Sequence, residues 1–261
     1  MESTDQARIA YFDYLRIFAI FLIMLLHTAS LCWYDTDVNS LPWFILNIFK
    51  VLTDHAVLLF VMISGSLFLR RDIPFKTLFN KYILRMICAF IVWSFVYALI
   101  SNYMWGIRSV LIVTLTSHYH LWFLPMIAGL YLAQPILRLF VRSPKAVRYF
   151  LLLSFVFSFL IPQILNLVSD FGGEGVLGII SAVNDRLDEL GVHLVTGYSF
   201  YYILGYYIHN KELDKKSRSI IYILGVCGFI LTGVLSTVHA AYLGTAVDTY
   251  HENFNIGVML S

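Results

Sequence analysis

The stretch YFDYLRIFAIFLIMLLH, residues 11–27, decides the class of fold. It opens with Asp13 and Arg16, runs through ten uncharged residues and ends on His27. Extended to Tyr34, it is long enough to cross a hydrocarbon core, which takes about 20 helical residues. Comparable runs recur along the chain. Their coarse bounds are Tyr14–Tyr34, Trp43–Leu69, Leu78–Tyr103, Leu121–Phe140, Val147–Val168, Thr196–His209 and Ile220–Ala241. An eighth begins near Phe254 and has barely started at Ser261, which reads as a C-terminal truncation.

Composition agrees with this reading. Hydrophobic residues make up 59% and charged residues 13% of 261, and the mean hydropathy is +0.77. A soluble domain of this length needs more charge to cover its surface. No polar stretch is long enough to bury a core of its own. The expectation is therefore an all-α, polytopic transmembrane helix bundle of about eight spans, forming one domain over residues 1–261. Cys32, Cys88 and Cys227 lie on separate apolar runs, which is not a disulfide framework. The opening segment MESTDQARIAYFDYLR mixes acid and base, so the first run reads as a retained helix rather than a cleaved signal.

The basic residues orient the bundle. With the N-terminus cytoplasmic, fifteen of the eighteen lysines and arginines fall on the inner side; only Lys50, Arg108 and Arg186 fall outside. Short inner loops rich in Lys and Arg are what the positive-inside rule describes. The outer segments are acidic, with Asp35, Asp37, Asp170, Asp248 and Glu252 among them. The longest polar interval, Asp170–Leu194, is loosened by Gly172, Gly173, Gly175 and Gly178 and reads as an outer loop with a short helix through Ala182–Leu190.

On the first helix, His27 lies eleven residues beyond Arg16. Eleven steps of 100° come within about 20° of three full turns, and the rise is roughly 16 Å, so both side chains point the same way at different depths. Asp13, three residues before Arg16, shares that face. An ionisable residue at membrane depth usually faces protein or water and serves a purpose. A neutral imidazole there is a candidate general base for a hydroxyl. The plainer reading has His27 bonding a neighbouring helix and Arg16 reaching back to the interface.

Four stretches carry a resemblance to a known family. YFDYLRIFAIFLIMLLH resembles the opening signature of the membrane-bound acyltransferase-3 family, Asp-x-x-Arg, an apolar run and then His. FVMISGSLFLRRD resembles its Ser-Gly-x-Leu element, here Ser64, Gly65 and Leu67. YHLWFLPMIAGLYLAQPIL is similar to its fourth-span pattern, through His120, Trp122, Phe123, Tyr131 and Pro135. SFYYILGYYIHNK resembles the stretch where the family returns to the cytoplasm. The similarity runs in order over essentially the whole chain and points to the enterobacterial common antigen O-acetyltransferase type.

The resemblance implies a bundle of about ten helices in the bacterial inner membrane. It implies acetyl-CoA as the cytoplasmic acyl donor and a hydroxyl of a cell-envelope glycan, or its lipid-linked precursor, as acceptor. The catalytic role falls on His27, supported by Arg16 and Asp13. The family's donor-side Arg-x-x-Arg reads Tyr82-Ile83-Leu84-Arg85 here, so Tyr82 replaces the first arginine and Lys81 stands in for its charge. Ser64 and Gly65 join Lys81, Tyr82 and Arg85 as candidate donor contacts, since arginine forks suit phosphate oxygens. His120 and Trp122 are the candidate acceptor contacts, with the interfacial aromatic belt as the plainer role. No histidine pair has metal-ligand spacing beside a carboxylate, so no metal site is expected. Nothing points to nucleic acid. Two other classes of function fit buried charge in a helix bundle: a transporter, or a non-catalytic membrane partner that keeps the fold.

Overall fold

The computed structural model describes residues 10–102, 110, 112, 114, 119–172, 178, 180, 182–183 and 193–261. Among the described residues all regular structure is helical. The helices are α1 (Ala10–Trp33), α2 (Leu41–Thr53), α3 (Ala56–Phe68), α4 (Leu84–Asn102), α5 (Phe123–Val141), α6 (Pro144–Phe155) and α7 (Ile161–Phe171). Beyond them come α8 (His193–Asn210), α9 (Lys215–Leu243) and the single turn α10 (Ile256–Leu260). Six stretches are long and apolar enough to cross a membrane: Ala10–Trp33, Leu41–Phe68, Phe75–Ile100, His120–Val141, Pro144–Phe171 and Lys215–Leu243. Each corresponds to one of the runs expected from sequence. The run Thr196–His209 becomes α8, whose five tyrosines and terminal histidines leave it more polar than the other six.

Local sequence explains where several helices begin. Ser40 and Ser143 accept the backbone N–H of Trp43 and Ala146, each beside a proline in the first turn. Asp214 does the same for Ser217 at the head of α9. Such caps satisfy donors that the helix itself leaves open, and proline costs nothing in that turn. On α1 the buried residues Phe12, Ala19, Leu22, Ala29 and Trp33 form one stripe, while Ile17, Phe18, Phe21 and Met24 are exposed. An apolar exposed face suits lipid, and small residues in the buried stripe let neighbouring helices approach.

At the centre α8 packs against α3, α5 and α6. Val61, Phe159, Tyr201, Tyr202 and Ile203 are fully buried there. The α3–α8 crossing is close because each helix sets a glycine against the other's backbone. A Cβ on Gly65 would overlap the Tyr202 carbonyl, and one on Gly205 would overlap the Met62 carbonyl.

Three departures from plain helices shape the bundle. The run Trp43–Leu69 is not one helix; it breaks at Asp54–His55, a turn between the end of α2 at Thr53 and the start of α3 at Ala56. Phe75–Thr77 leads into a π-helical turn, Leu78–Ile83, before α4, and a second π turn, Val156–Leu160, joins α6 to α7. Helix α8 is kinked at Gly197 (φ −48°, ψ −112°). Kinks and π turns have local causes and recur at functional sites. The expected short helix through Ala182–Leu190 lies outside the described residues except at 182 and 183, and so do Arg8, Tyr103, Arg108, His118 and Arg186.

Candidate functional site

A cavity of about 1080 Å³ opens along the second half of α1, toward the end of the bundle remote from residue 10. Its wall starts at Ile20, one turn beyond Arg16, and includes His27, Ser30 and Tyr34 from α1. Lys50 and Asp54 come from the α2–α3 span, His120 and Trp122 from the turn before α5, and Tyr198 from α8. Asp248, His251, Glu252, Asn253 and Phe254 come from the segment that joins α9 to α10.

That last segment is irregular backbone lying against the bundle. Gly244, with φ +72°, closes α9 in the left-handed region where other residues are strained, and the chain turns back toward the cavity. Irregular backbone makes few hydrogen bonds of its own, so protein or water must satisfy its polar groups. Here the bonds are dense. Lys50 Nζ is 2.8 Å from Asp248 Oδ1, and the Tyr34 hydroxyl donates to the same carboxylate. Tyr250 donates to Asp170 at 2.8 Å, Tyr201 donates to the Asn253 carbonyl, and the Asn253 amide donates to the Tyr198 hydroxyl at 2.9 Å. Burial pushes the Asp248 carboxyl up, yet the Lys50 ammonium and the Tyr34 hydroxyl together hold it below the ordinary carboxylate value.

The deepest tie is a histidine between two acceptors. His251 Nδ1 lies 2.6 Å from Asp54 Oδ2, and Nε2 lies 3.0 Å from Asn47 Oδ1. Asn47 Oδ1 also accepts from the Trp33 indole at 3.2 Å, and an indole N–H can only donate. The oxygen of Asn47 therefore faces the imidazole, and Nε2 carries a proton. Either the ring is imidazolium against a carboxylate, or Asp54 keeps its proton; the pair has no net charge in both cases. The side chains of His251 and Asp54 are 1% and 4% exposed. Removing one partner of a buried pair leaves the other uncompensated, which typically costs about 3–5 kcal/mol. Asp54→Ala is thus expected to lower the thermal unfolding midpoint in detergent markedly, and Asp54→Asn less so.

His27 and His120 meet edge-on on the cavity wall, with ring centroids 6.1 Å apart, and Tyr97 packs edge-on against His120 at 4.6 Å. Trp122 and Tyr198 form a tilted aromatic pair, centroids 5.5 Å apart. The structure thus brings His27, His120 and Trp122 to one cavity.

Arg16 does not line it. At the opposite end of the bundle Arg16 Nη1 pairs with Asp13 Oδ1 at 3.1 Å, and its charge lies within electrostatic range of the Tyr131 hydroxyl. A hydrogen bond joins the Tyr131 and Ser64 hydroxyls, and Tyr82 packs edge-on against Phe68 at 4.9 Å and Tyr131 at 6.3 Å. A second cluster thus gathers Arg16, Ser64, Tyr82 and Tyr131 about three turns below His27. The π turn spanning Leu78–Ile83 carries Tyr82 within it. Lys81 lies over the Tyr82 ring at 5.8 Å, Arg85 is exposed on α4, and Gly65 is buried against α8 instead of facing either cluster. Nearby, Arg70 donates to His209 Nε2 at 2.7 Å, which leaves Nδ1 to donate to the Tyr11 oxygen at 2.6 Å.

Sequence reasoning passed over Asn47, Asp54, Tyr198, His251 and Asn253, and treated Lys50 as a stray outer cation. The signal was present: Asn47, Lys50 and Asp54 stand at i, i+3 and i+7, one polar stripe on an otherwise apolar run. Among the described residues no group of three or more His, Cys, Asp or Glu side chains is arranged to hold a metal ion.

A family model described as "Acyltransferase domain" matches residues 9–261. No curated protein and no solved structure matches at a comparable level of significance. With nearly the whole chain covered and a helical bundle long enough to cross a membrane several times, the protein belongs to the acyltransferase-3 family of membrane acyltransferases.

Proposed function

We propose that this chain moves an acetyl group from cytoplasmic acetyl-CoA to a hydroxyl of a cell-envelope glycan or its lipid-linked precursor, in the bacterial inner membrane with its N-terminus inside. The observation that supports this best is the placement of His27. Its imidazole lines a cavity that faces the far end of the bundle, and a polar cluster built on Arg16 lies roughly 16 Å below it on the same helix. Donor and acceptor then approach from opposite ends and meet at one base.

In the reaction His27 takes the proton of the acceptor hydroxyl as its oxygen attacks the thioester carbonyl carbon. The carbon–sulfur bond breaks, the new ester bond remains, and the imidazolium returns its proton to the leaving thiolate. Ser30, three residues beyond His27 on the same cavity wall, is the candidate donor to the transient oxyanion. Arg16, Ser64, Tyr82 and Tyr131 line the donor's path, and the acceptor is of the enterobacterial common antigen type that the sequence resemblance implies.

The test supplies radiolabelled acetyl-CoA to the protein reconstituted in nanodiscs with envelope lipids and glycans, and follows CoA release and label transfer together. Labelled glycan supports the reading. In proteoliposomes carrying the same protein, passage of unmodified glycan into the lumen without acetylation would instead favour a transporter. Arg16→Lys keeps the charge but loses the planar fork. It is expected to raise KM for acetyl-CoA roughly tenfold while leaving KM for the acceptor unchanged, as steady-state kinetics with each substrate varied will show.

A further inference from the structure

Charge at the mouth of the cavity carries an inference about which acceptor can enter, and it rests on the glycan-acceptor reading above. The lining residues that carry formal charge are Lys50, Asp54, Asp248 and Glu252, with His251 beside them. Lys50 is matched by Asp248, and the Asp54–His251 unit is neutral by its hydrogen-bond pattern. Glu252 is left over: no cation among the described residues pairs with it. Its carboxyl is pushed up from the ordinary range by burial and then by the neighbouring Asp248 carboxylate, so the two acids are close and nothing positive offsets the second.

Glu252 sits in a setting that suits a sugar ring. Trp122 and Tyr198 give a pair of aromatic faces on the wall of the same cavity. Such faces accept the C–H side of a pyranose, whose hydroxyls then point outward along its rim. Asn253 is fixed beside them by the bond from its amide to the Tyr198 hydroxyl, and the ties of Asp248, Tyr250 and His251 hold the backbone on either side of Glu252. A carboxylate accepts strong hydrogen bonds from hydroxyls, but repels another carboxylate in a partly desolvated site.

We propose that this mouth is a subsite for an uncharged sugar ring, with Trp122 and Tyr198 as its platform and Glu252 and Asn253 as its hydroxyl partners, and that the unmatched charge of Glu252 excludes acidic sugars.

The experiment uses the full chain in nanodiscs, free of sugar-headed detergent, and titrates three matched pairs of probes. These are the methyl glycosides of glucose, galactose and mannose, each against the methyl glycoside of its uronic acid. Binding is read by tryptophan fluorescence and calorimetry without acetyl-CoA, and CoA release is read separately with it. At least one neutral glycoside is expected to bind at least about tenfold more tightly than its uronic acid partner. Glu252→Gln is expected to reduce that ratio to about twofold or less, and Trp122→Ala to weaken both members of the pair alike. Equal binding of neutral and acidic probes, binding of none of the six, or a ratio unmoved by Glu252→Gln overturns the subsite. Charge-selective binding without sugar-stimulated CoA release upholds the subsite and counts against acetyl transfer. Sugar-stimulated CoA release indifferent to the acid group does the reverse.

Discussion

His27→Ala is expected to lower acyl transfer by about a thousandfold while leaving the protein folded. General-base catalysis contributes on the order of 10²–10⁴ to rate, and no other imidazole holds the same position. His120 comes nearest, but it meets His27 edge-on on the cavity wall with its own ring against Tyr97. His251 is committed on both ring nitrogens. His251 therefore cannot take the hydroxyl proton without moving. The fold should tolerate the change because His27 is only half-buried and lines a cavity wall, so its removal enlarges a space that already exists. The measurement is single-turnover CoA release from acetyl-CoA with a saturating acceptor, alongside the thermal unfolding midpoint in detergent. Near-normal turnover in the alanine variant would end the catalytic assignment. A lost midpoint would show that His27 bonds a neighbouring helix for stability, the plainer reading that sequence leaves open. His120→Ala is a useful companion: a residue that contacts only the acceptor raises its KM and spares the chemical step.

The structure also separates two residues that sequence had joined. Arg16 and His27 share a helix face, as their spacing predicts, but about three turns of α1 lie between them and only His27 reaches the cavity. They stand at the two ends of one helix face, Arg16 near Ser64, Tyr82 and Tyr131 at one end and His27 on the cavity wall toward the other. This division follows from an unbroken α1. A kink between residues 16 and 27 would have turned the two away from each other.

Much of the bundle was legible because local chemistry announces it. The runs from Trp43 and from Val147 stand out by their apolarity, and the structure begins α2 and α6 two or three residues earlier, at Leu41 and Pro144, where Ser40 and Ser143 cap the helices. The face of α1 was legible for the same reason, through a fixed angular step. What stayed hidden depends on distant partners. The ties of Lys50 to Asp248 and of Asp54 to His251 join residues almost two hundred positions apart, and no local period reports them. Lys50 looked like an exception to a charge rule when it is half of an ion pair. Arg85 reads as a donor contact through the resemblance to the Arg-x-x-Arg motif, and the structure places it exposed on α4. On α4 Ser94 and Ala98 are the residues buried between 84 and 100 among the described side chains, so the run is apolar nearly all round and its pattern points nowhere. The π turn that carries Tyr82 is likewise invisible, since one extra residue in a turn leaves no compositional trace.

Gly65→Ala is expected to destabilise the protein by at least about 3 kcal/mol, at the upper end of what overpacking costs, because the obstacle is backbone and not a side chain. The new methyl would overlap the Tyr202 carbonyl, and α8 would have to move off α3 to admit it. That crossing carries Val61, Tyr202 and Ile203, all fully buried, so a shift there opens the centre of the bundle. Gly205→Ala strikes the Met62 carbonyl from the other helix, and the double variant should cost less than the sum, since helices already forced apart make room for the second methyl. Gly129→Ala on α5 is the control: nothing stands within 4 Å of its added carbon, and alanine favours a helix interior by up to about 1 kcal/mol. Thermal unfolding in detergent should therefore place Gly65→Ala roughly 10 °C below the parent and Gly129→Ala level with it or above. The same pair of variants separates packing from donor binding as the reason for a glycine beside Ser64. If Gly65→Ala unfolded at the parent's temperature and raised KM for acetyl-CoA, the glycine would be making room for the donor. If the midpoint falls and the surviving folded fraction keeps its KM, the glycine serves the helix crossing, and Ser64, bonded to Tyr131, is the member of that dipeptide left to meet the donor.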